Sequence, residues 1–147
     1  MVALNLPAFA HKTKQVEGKP YIFDLLRRKY VRLSPEEWVR QHLINLLLTH
    51  YAYPKALIRT EGGVVLNQTQ KRTDIVVFDR QGQPYLVVEC KAPHVSLTQS
   101  VFDQIGRYNH VHRAPYLVVS NGLVHYCCCI NHETADVRFL DDFPMFA

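Results

Sequence analysis

Two carboxylates and an ammonium group stand at a spacing that suits phosphodiester chemistry. Asp74 lies in Arg72-Thr73-Asp74-Ile75-Val76-Val77-Phe78, and Glu89 and Lys91 close the run Leu86-Val87-Val88-Glu89-Cys90-Lys91. If these are the strands of a hairpin centred between Gln81 and Gly82, paired positions sum to 163. Asp74 then stands opposite Glu89, and Arg72 opposite Lys91, with cross-strand Cβ atoms ~4.5–5.5 Å apart. Like charges at that separation destabilise a sheet, so such a pairing serves something other than folding. Side-chain alternation puts Glu89 and Lys91 on one face and Val88 and Cys90 on the other. A divalent cation resolves the repulsion, because Asp74 and Glu89 are hard oxygen ligands of the kind Mg²⁺ or Mn²⁺ takes. Such a metal acidifies bound water and offers charge to a phosphate oxygen, while Lys91 orients the nucleophile or neutralises developing charge. The competing reading makes Glu89 and Lys91 solvent-facing residues of an edge strand, and spacing of this kind also arises by chance. Against it, Leu86-Val87-Val88 is uniformly apolar and reads as an interior strand, so charges at its end need a reason.

The elements that position these groups are legible in outline. The first thirty residues carry basic and aromatic groups without a clean period and read as an irregular arm plus a short strand. Ser34-Pro35-Glu36-Glu37 then opens a helix, with Ser34 as cap, Pro35 at the first helical position and Glu37 where a capping-box carboxylate stands. Val39, Leu43, Leu46, Leu47 and Tyr51 recur at helical spacing to about His50. Glu36 and Arg40 project within about 25° of that apolar direction and Glu37 points away. A carboxylate on the buried side needs a partner, so Glu36 either pairs with Arg40 at i, i+4 or serves a site. Beyond Tyr53-Pro54, strands are expected over 56–61, 64–66, 73–78 and 85–91, the last two joined by a turn-rich segment. A helix is expected over 97–110. Strands over 116–120 and 124–130 flank Asn121-Gly122, a hairpin signal. The order predicts one α/β domain over residues 1–147, with a central mixed sheet flanked by helices.

Composition narrows the class further. The chain has 147 residues, 48% hydrophobic and 20% charged, which suits one domain with a sizeable core and excludes a disordered tail. No apolar run approaches the roughly 20 residues of a spanning helix, and the N-terminus lacks a secretory pattern, so a cytoplasmic, membrane-independent protein is expected. Cys90 stands alone and Cys127, Cys128 and Cys129 are consecutive, a pattern without the C-x-x-C of a zinc knuckle and one expected of small buried hydrophobes. His110 and His112 have no third ligand at suitable spacing. The formal charge of +4 permits a polyanionic partner without demanding one. Lys71, Arg72, Arg107 and Arg113 bracket the proposed site, where a phosphate backbone would be held, although any one of them is also ordinary solvated charge.

Asp74 followed by Glu89-Cys90-Lys91 after an apolar strand resembles the PD-(D/E)XK nuclease superfamily. The wider string is similar to the N-terminal nuclease domain of type I restriction enzyme R subunits. It takes in Ser34-Pro35-Glu36-Glu37-Trp38-Val39-Arg40-Gln41, the Arg72 to Val76 strand, Val88-Glu89-Cys90-Lys91-Ala92-Pro93, Gln104-Ile105-Gly106-Arg107-Tyr108-Asn109 and Val119-Ser120-Asn121-Gly122. The resemblance implies a restriction-endonuclease-like fold and Mg²⁺-dependent (or Mn²⁺-dependent) DNA hydrolysis. It implies that Asp74 and Glu89 bind the metal with the Cys90 carbonyl, that Lys91 is the catalytic lysine, and that a helical glutamate joins them, Glu36 or, as fallback, Glu37. Gln104 and Tyr108 match a Gln-x-x-x-Tyr element; one helix face would bring both to a phosphate or base, or else leave Gln104 at the surface and Tyr108 against the sheet. Thr73 replaces the proline of the superfamily's name and leaves the carboxylates in place. The chain carries no G-x-x-x-x-G-K-[ST] loop, so by itself it has no motor, and separately encoded restriction or motor subunits are the expected partners beside DNA. The alternative is a nuclease-fold module that binds nucleic acid or a protein and does not cut.

Overall fold

The computed structural model describes residues 1–60 and 75–147, in α2 without the side chains of residues 105 and 107–112. Among the described residues the strands form two sheets. The smaller is an antiparallel meander of β1 (Thr13–Val16), β2 (Lys19–Phe23) and β3 (Tyr30–Arg32). Glu17 and Gly18 make its first turn, both at positive φ, as a two-residue hairpin of right-handed twist requires. The segment expected to hold one short strand thus holds three. The loop from β2 to β3 is organised by Asp24, fully buried, whose carboxylate accepts from the backbone N–H groups of Leu26 and Arg27 and pairs with the Arg27 guanidinium at 2.7 Å. Burial alone would push its pKa up, but the Arg27 side chain and those two N–H donors outweigh it and hold the carboxyl below the usual value.

α1 (Pro35–Asn45) begins as its sequence dictates: the Ser34 hydroxyl accepts from the Glu37 N–H at 3.0 Å and Pro35 occupies the first turn. It continues as a π-helical turn over Leu46–His50. A 3₁₀ turn, Lys55–Leu57, leads into the two-residue β4 (Ile58–Arg59). β5 (Ile75–Phe78) and β6 (Pro84–Cys90) form a hairpin whose turn is closed by Asp79, accepting through Oδ1 from the N–H groups of Gln81 and Gln83. α2 (Gln99–His112) crosses over to β7 (Tyr116–Ser120), parallel to β6, and β8 (His125–Asn131) and β9 (Asp136–Leu140) follow antiparallel. The six-stranded order is β4-β5-β6-β7-β8-β9. This is the expected mixed sheet.

Alternation divides the core in two. Ile75, Val77, Leu86, Val88, Cys90, Val118 and Cys127 pack with Val39, Leu43 and Leu47 of α1 and its extension on one face. Val76, Val87, Leu117, Val119 and Cys128 pack on the other, against Leu97, Val101 and Phe102. Adjacent Cys127 and Cys128 fall to opposite faces, as strand geometry requires. Burial pushes both thiols up to about 12. Among the described residues, no helix is long and apolar enough to cross a membrane.

Candidate metal and nucleic-acid site

β6 lies inside the sheet, between β5 and β7, so the edge-strand reading of Glu89 falls. The β5–β6 register is Ile75↔Val88, Val76↔Val87 and Val77↔Leu86, the expected sum of 163 at each pair. Only at Phe78↔Pro84 does it shift, where a bulge absorbs the turn. Asp74 and Arg72 lie outside the described residues, one and three positions before the start of β5.

Glu89 is buried, with 6% of its surface exposed, and is paired in register with Val119 of β7. Alternation sends it to the α2 face with Val87. The Cys90 side chain joins the α1-face core. Lys91 is half-buried just past the strand, and its N–H donates to the Ser120 carbonyl at 2.8 Å, extending the β6–β7 ladder by one residue. A carboxylate buried in an apolar strand is costly, and it sits where the strand ends and the chain opens.

The turn between β7 and β8 braces this end. The Asn121 carboxamide accepts from the Leu123 and Val124 N–H groups and donates through Nδ2 to the Val95 carbonyl at 2.9 Å, holding the loop that follows Lys91. The hairpin signal of Asn121-Gly122 revealed the turn but not this tie. Gly122, at φ +85°, is enclosed: a Cβ there would lie 2.8 Å from Leu4 Cδ2 and 3.1 Å from Val39 Cγ2. That contact brings the N-terminal half of α1 to the sheet end occupied by Glu89 and Lys91.

The helix face expectation is corrected. Glu37, not Glu36, is the buried carboxylate: it pairs with Arg40 Nη1 at 2.7 Å and accepts from Gln41 Nε2 at 2.9 Å, while Glu36 is half-buried. The expected Glu36–Arg40 partnership is therefore an i, i+3 pair of Glu37 instead. An ideal helical wheel failed because α1 is enclosed from Glu37 to Asn45, so burial does not follow one apolar stripe. Gln41, fully buried, accepts through Oε1 from the Leu25 N–H and so ties the β2–β3 loop to α1.

On α2, Gln104 is exposed, and the helix runs on through positions 107 and 108, where the side chains of Arg107 and Tyr108 lie outside the described residues. Among the described residues no group of three or more His, Cys, Asp or Glu side chains gathers as a metal site. Glu89 and the Cys90 carbonyl alone do not make a ligand set among the described residues, and Asp74, the other expected ligand, lies outside them.

Among curated proteins, no sequence matches. A solved structural neighbour is a fragment assigned as an HsdR subunit of a type I restriction enzyme from Vibrio vulnificus YJ016, at 25% identity and a TM-score of 0.39, over 60% of this chain and 16% of that one. The present chain thus spans well under two thirds of that solved chain. The family model described as type I restriction enzyme R protein N terminus matches residues 35–144. That match runs from the first turn of α1 past the end of β9 and takes in every candidate residue, and by it the chain belongs to the family of type I restriction enzyme R protein N-terminal regions.

Proposed function

We propose that this restriction-enzyme-related module is a Mg²⁺-dependent DNA endonuclease of the PD-(D/E)XK kind, acting with separately encoded restriction or motor subunits. The observation that carries the reading is Glu89: a buried carboxylate on an interior strand, with a lysine two residues on and the 163-sum register running toward Asp74. The donor set fits a hard cation, with two carboxylates and a backbone carbonyl as oxygen donors. Asp74, Glu89 and the Cys90 carbonyl would hold the Mg²⁺ or Mn²⁺. When bound, the cation would acidify water and stabilise charge on the phosphate.

The chain's own groups divide the remaining work. Lys91 Nζ donates to the attacking water or to a non-bridging phosphate oxygen and neutralises charge as it develops. Glu36, half-buried and outside the Glu37–Arg40 pair, supplies a carboxylate from the first turn of α1. Glu37 orders Arg40 and Gln41 behind it. Gln104 and Tyr108 support the substrate from α2, and Arg72 and Arg107 take backbone phosphates.

Calorimetric titration of Mn²⁺ tests the ligand assignment. Wild type and Lys91→Ala should bind alike, and Asp74→Ala and Glu89→Ala should bind at least tenfold more weakly. Equal Mn²⁺ affinity in Asp74→Ala and wild type would overturn it.

A further inference from the structure

The basic and aromatic residues of the N-terminal arm, which show no period along the sequence, fall on one face once its three strands form. Cross-strand partners share a face, and the register sets Lys14, Tyr21 and Arg32 in one row and Phe23 beside Tyr30 in the next. Lys12 extends that second row: its carbonyl accepts from the Phe23 N–H at 2.9 Å and its Nζ lies 5.7 Å from the centre of the Phe23 ring. Lys19 opposes Val16 in a third row. The opposite face carries Ile22, fully buried, with Val31 beside it, so that is the face turned to the protein. Arg28 joins the outer face from the β2–β3 loop, its Cζ 5.6 Å from the centre of the same Phe23 ring. The outer face thus gathers five exposed cations around three half-buried rings.

Charge identifies the class of occupant. None of the five cations enters an ion pair among the described residues. Residues 13–32 contain two carboxylates, Glu17 in the exposed hairpin turn and Asp24, which is buried and bonded to Arg27. Residues 1–34 hold seven of the chain's 17 Lys and Arg residues and two of its 13 Asp and Glu residues, a net +5 against +4 for the whole chain. The positive charge of the molecule is therefore concentrated on this small sheet, where a polyanion relieves its self-repulsion. The rings narrow the class. An acidic peptide needs the cations alone, whereas unpaired bases need flat apolar partners set among them. An anionic bilayer takes apolar side chains that project past the cations, but these rings are half-buried beneath them. Lys12 and Arg28 lie over Phe23, and Lys14 lies 4.1 Å over Tyr30, which holds these cations at set places on the sheet. Tyr21, between Lys14 and Arg32, has neither a ring nor a cation stacked on it among the described residues and is open to a base. We propose that the outer face of β1–β3 binds single-stranded nucleic acid, with Lys14 and Arg32 on the phosphates either side of a base stacked on Tyr21. The proposal uses no residue of the nuclease reading, and all of its residues precede the family-matched segment 35–144.

The test is fluorescence anisotropy of a labelled oligothymidylate of about 12 nucleotides, within the span such surfaces cover, with the full chain in metal-free buffer across salt concentrations. Wild type should bind it more tightly than a duplex of the same length. Lys14→Ala/Arg32→Ala should bind roughly tenfold more weakly, and its slope of log K against log salt should be shallower by about 1.4, about 0.7 for each phosphate contact on a single strand. Tyr21→Ala should lose about fivefold or more at the wild-type salt slope, and Tyr21→Phe, which keeps the ring, should bind as wild type does. Lys19→Glu, at an exposed side chain with no partner among the described residues, should weaken binding at unchanged Tm, which separates recognition from misfolding. Arg80→Ala/Arg138→Ala removes the same charge outside the small sheet and should keep the wild-type affinity and slope. Wild-type binding by both Lys14→Ala/Arg32→Ala and Lys19→Glu, an equal loss in the Arg80/Arg138 control, or tighter binding of the duplex would overturn the proposal. Unchanged affinity in Tyr21→Ala would overturn the stacked base. A wild type that ignores the oligonucleotide and sediments with phosphatidylserine vesicles would make the face a membrane surface and overturn the nucleic-acid assignment. With no metal present and no site residue altered, these results stand apart from the nuclease assignment, which Mn²⁺ titration and cleavage test separately.

Discussion

Glu37→Ala is the substitution whose cost the structure sets most narrowly. The Glu37 and Arg40 side chains are 8% and 6% exposed and meet at 2.7 Å, and Gln41 bonds the second carboxylate oxygen at 2.9 Å. Removing the carboxylate takes from the buried Arg40 the counter-ion that meets it at 2.7 Å and deprives the Gln41 amide of the acceptor at 2.9 Å. Breaking one side of a buried pair costs about 3–5 kcal/mol, most of it the desolvation of the charge left behind. For a chain of this size, 1 kcal/mol moves Tm by about 2–4 °C, so the expected loss is about 6–20 °C. Glu36→Ala, at a half-buried side chain with no such pair among the described residues, should cost no more than about 0.5 kcal/mol. Glu37→Leu/Arg40→Met, which removes both charges, should recover most of the loss. Urea unfolding of the four proteins measures all three quantities. A Glu37→Ala cost below about 1 kcal/mol, or one matched by Glu36→Ala, would refute the assignment of Glu37 as the structural glutamate.

Other expectations follow from single features. His42 is buried among Phe9, Trp38 and His11, and burial first, then the His11 charge, lowers its pKa below 6.5 despite the Nδ1 bond to the Trp38 carbonyl. Its stabilising contribution is therefore complete above about pH 6.5 and is lost as pH falls through the lowered value; the stability difference between wild type and His42→Phe should shrink or reverse over that range in pH-dependent melts, and a constant difference would contradict it. Gly122→Ala meets both a positive φ and the Leu4 and Val39 contacts, and should cost about 1–3 kcal/mol in urea unfolding, whereas an unchanged midpoint would deny the close approach. With thiols pushed up to about 12 inside the core, Cys127 and Cys128 should resist alkylation at pH 8 while half-buried Cys129 reacts first, as peptide mapping after timed labelling would show. On the proposed metal site, Mn²⁺ at millimolar concentration should raise the wild-type Tm, as any ligand of the folded state alone does, and should leave Glu89→Ala unmoved.

The interior of the fold was readable because its residues carry period-2 or period-3.6 patterns that burial enforces. β7 matches its expected bounds, and β5–β6 match the expected register, since Ile75 to Val77 and Leu86 to Val88 leave no freedom to slip without exposing a core face. β1 and β9 were not readable for the converse reason. Every residue of β1 is exposed, and four of the five in β9 are, so neither carries the alternation that marks a strand. The β1–β2 hairpin rests instead on Glu17-Gly18 at positive φ and on Lys14 lying 4.1 Å over the Tyr30 ring, contacts that spacing does not announce. Glu89 and Lys91 stand out in the sequence because charge at the end of an apolar strand is an anomaly, and the structure bears out the interior strand and the burial of Glu89. Glu37 was misjudged because an ideal helical wheel turned it away from the apolar face, whereas α1 is buried all round from Glu37 to Asn45.

Cleavage of supercoiled plasmid and single-stranded DNA in Mg²⁺ and Mn²⁺, with wild type and Lys91→Ala purified identically, tests the nuclease assignment most directly. The account predicts metal-dependent cutting by wild type and none by Lys91→Ala, with both proteins equally folded and equally able to bind Mn²⁺. Equal cutting by both, or a wild type that binds metal and DNA yet cuts neither substrate even when restriction and motor subunits are supplied, would contradict it.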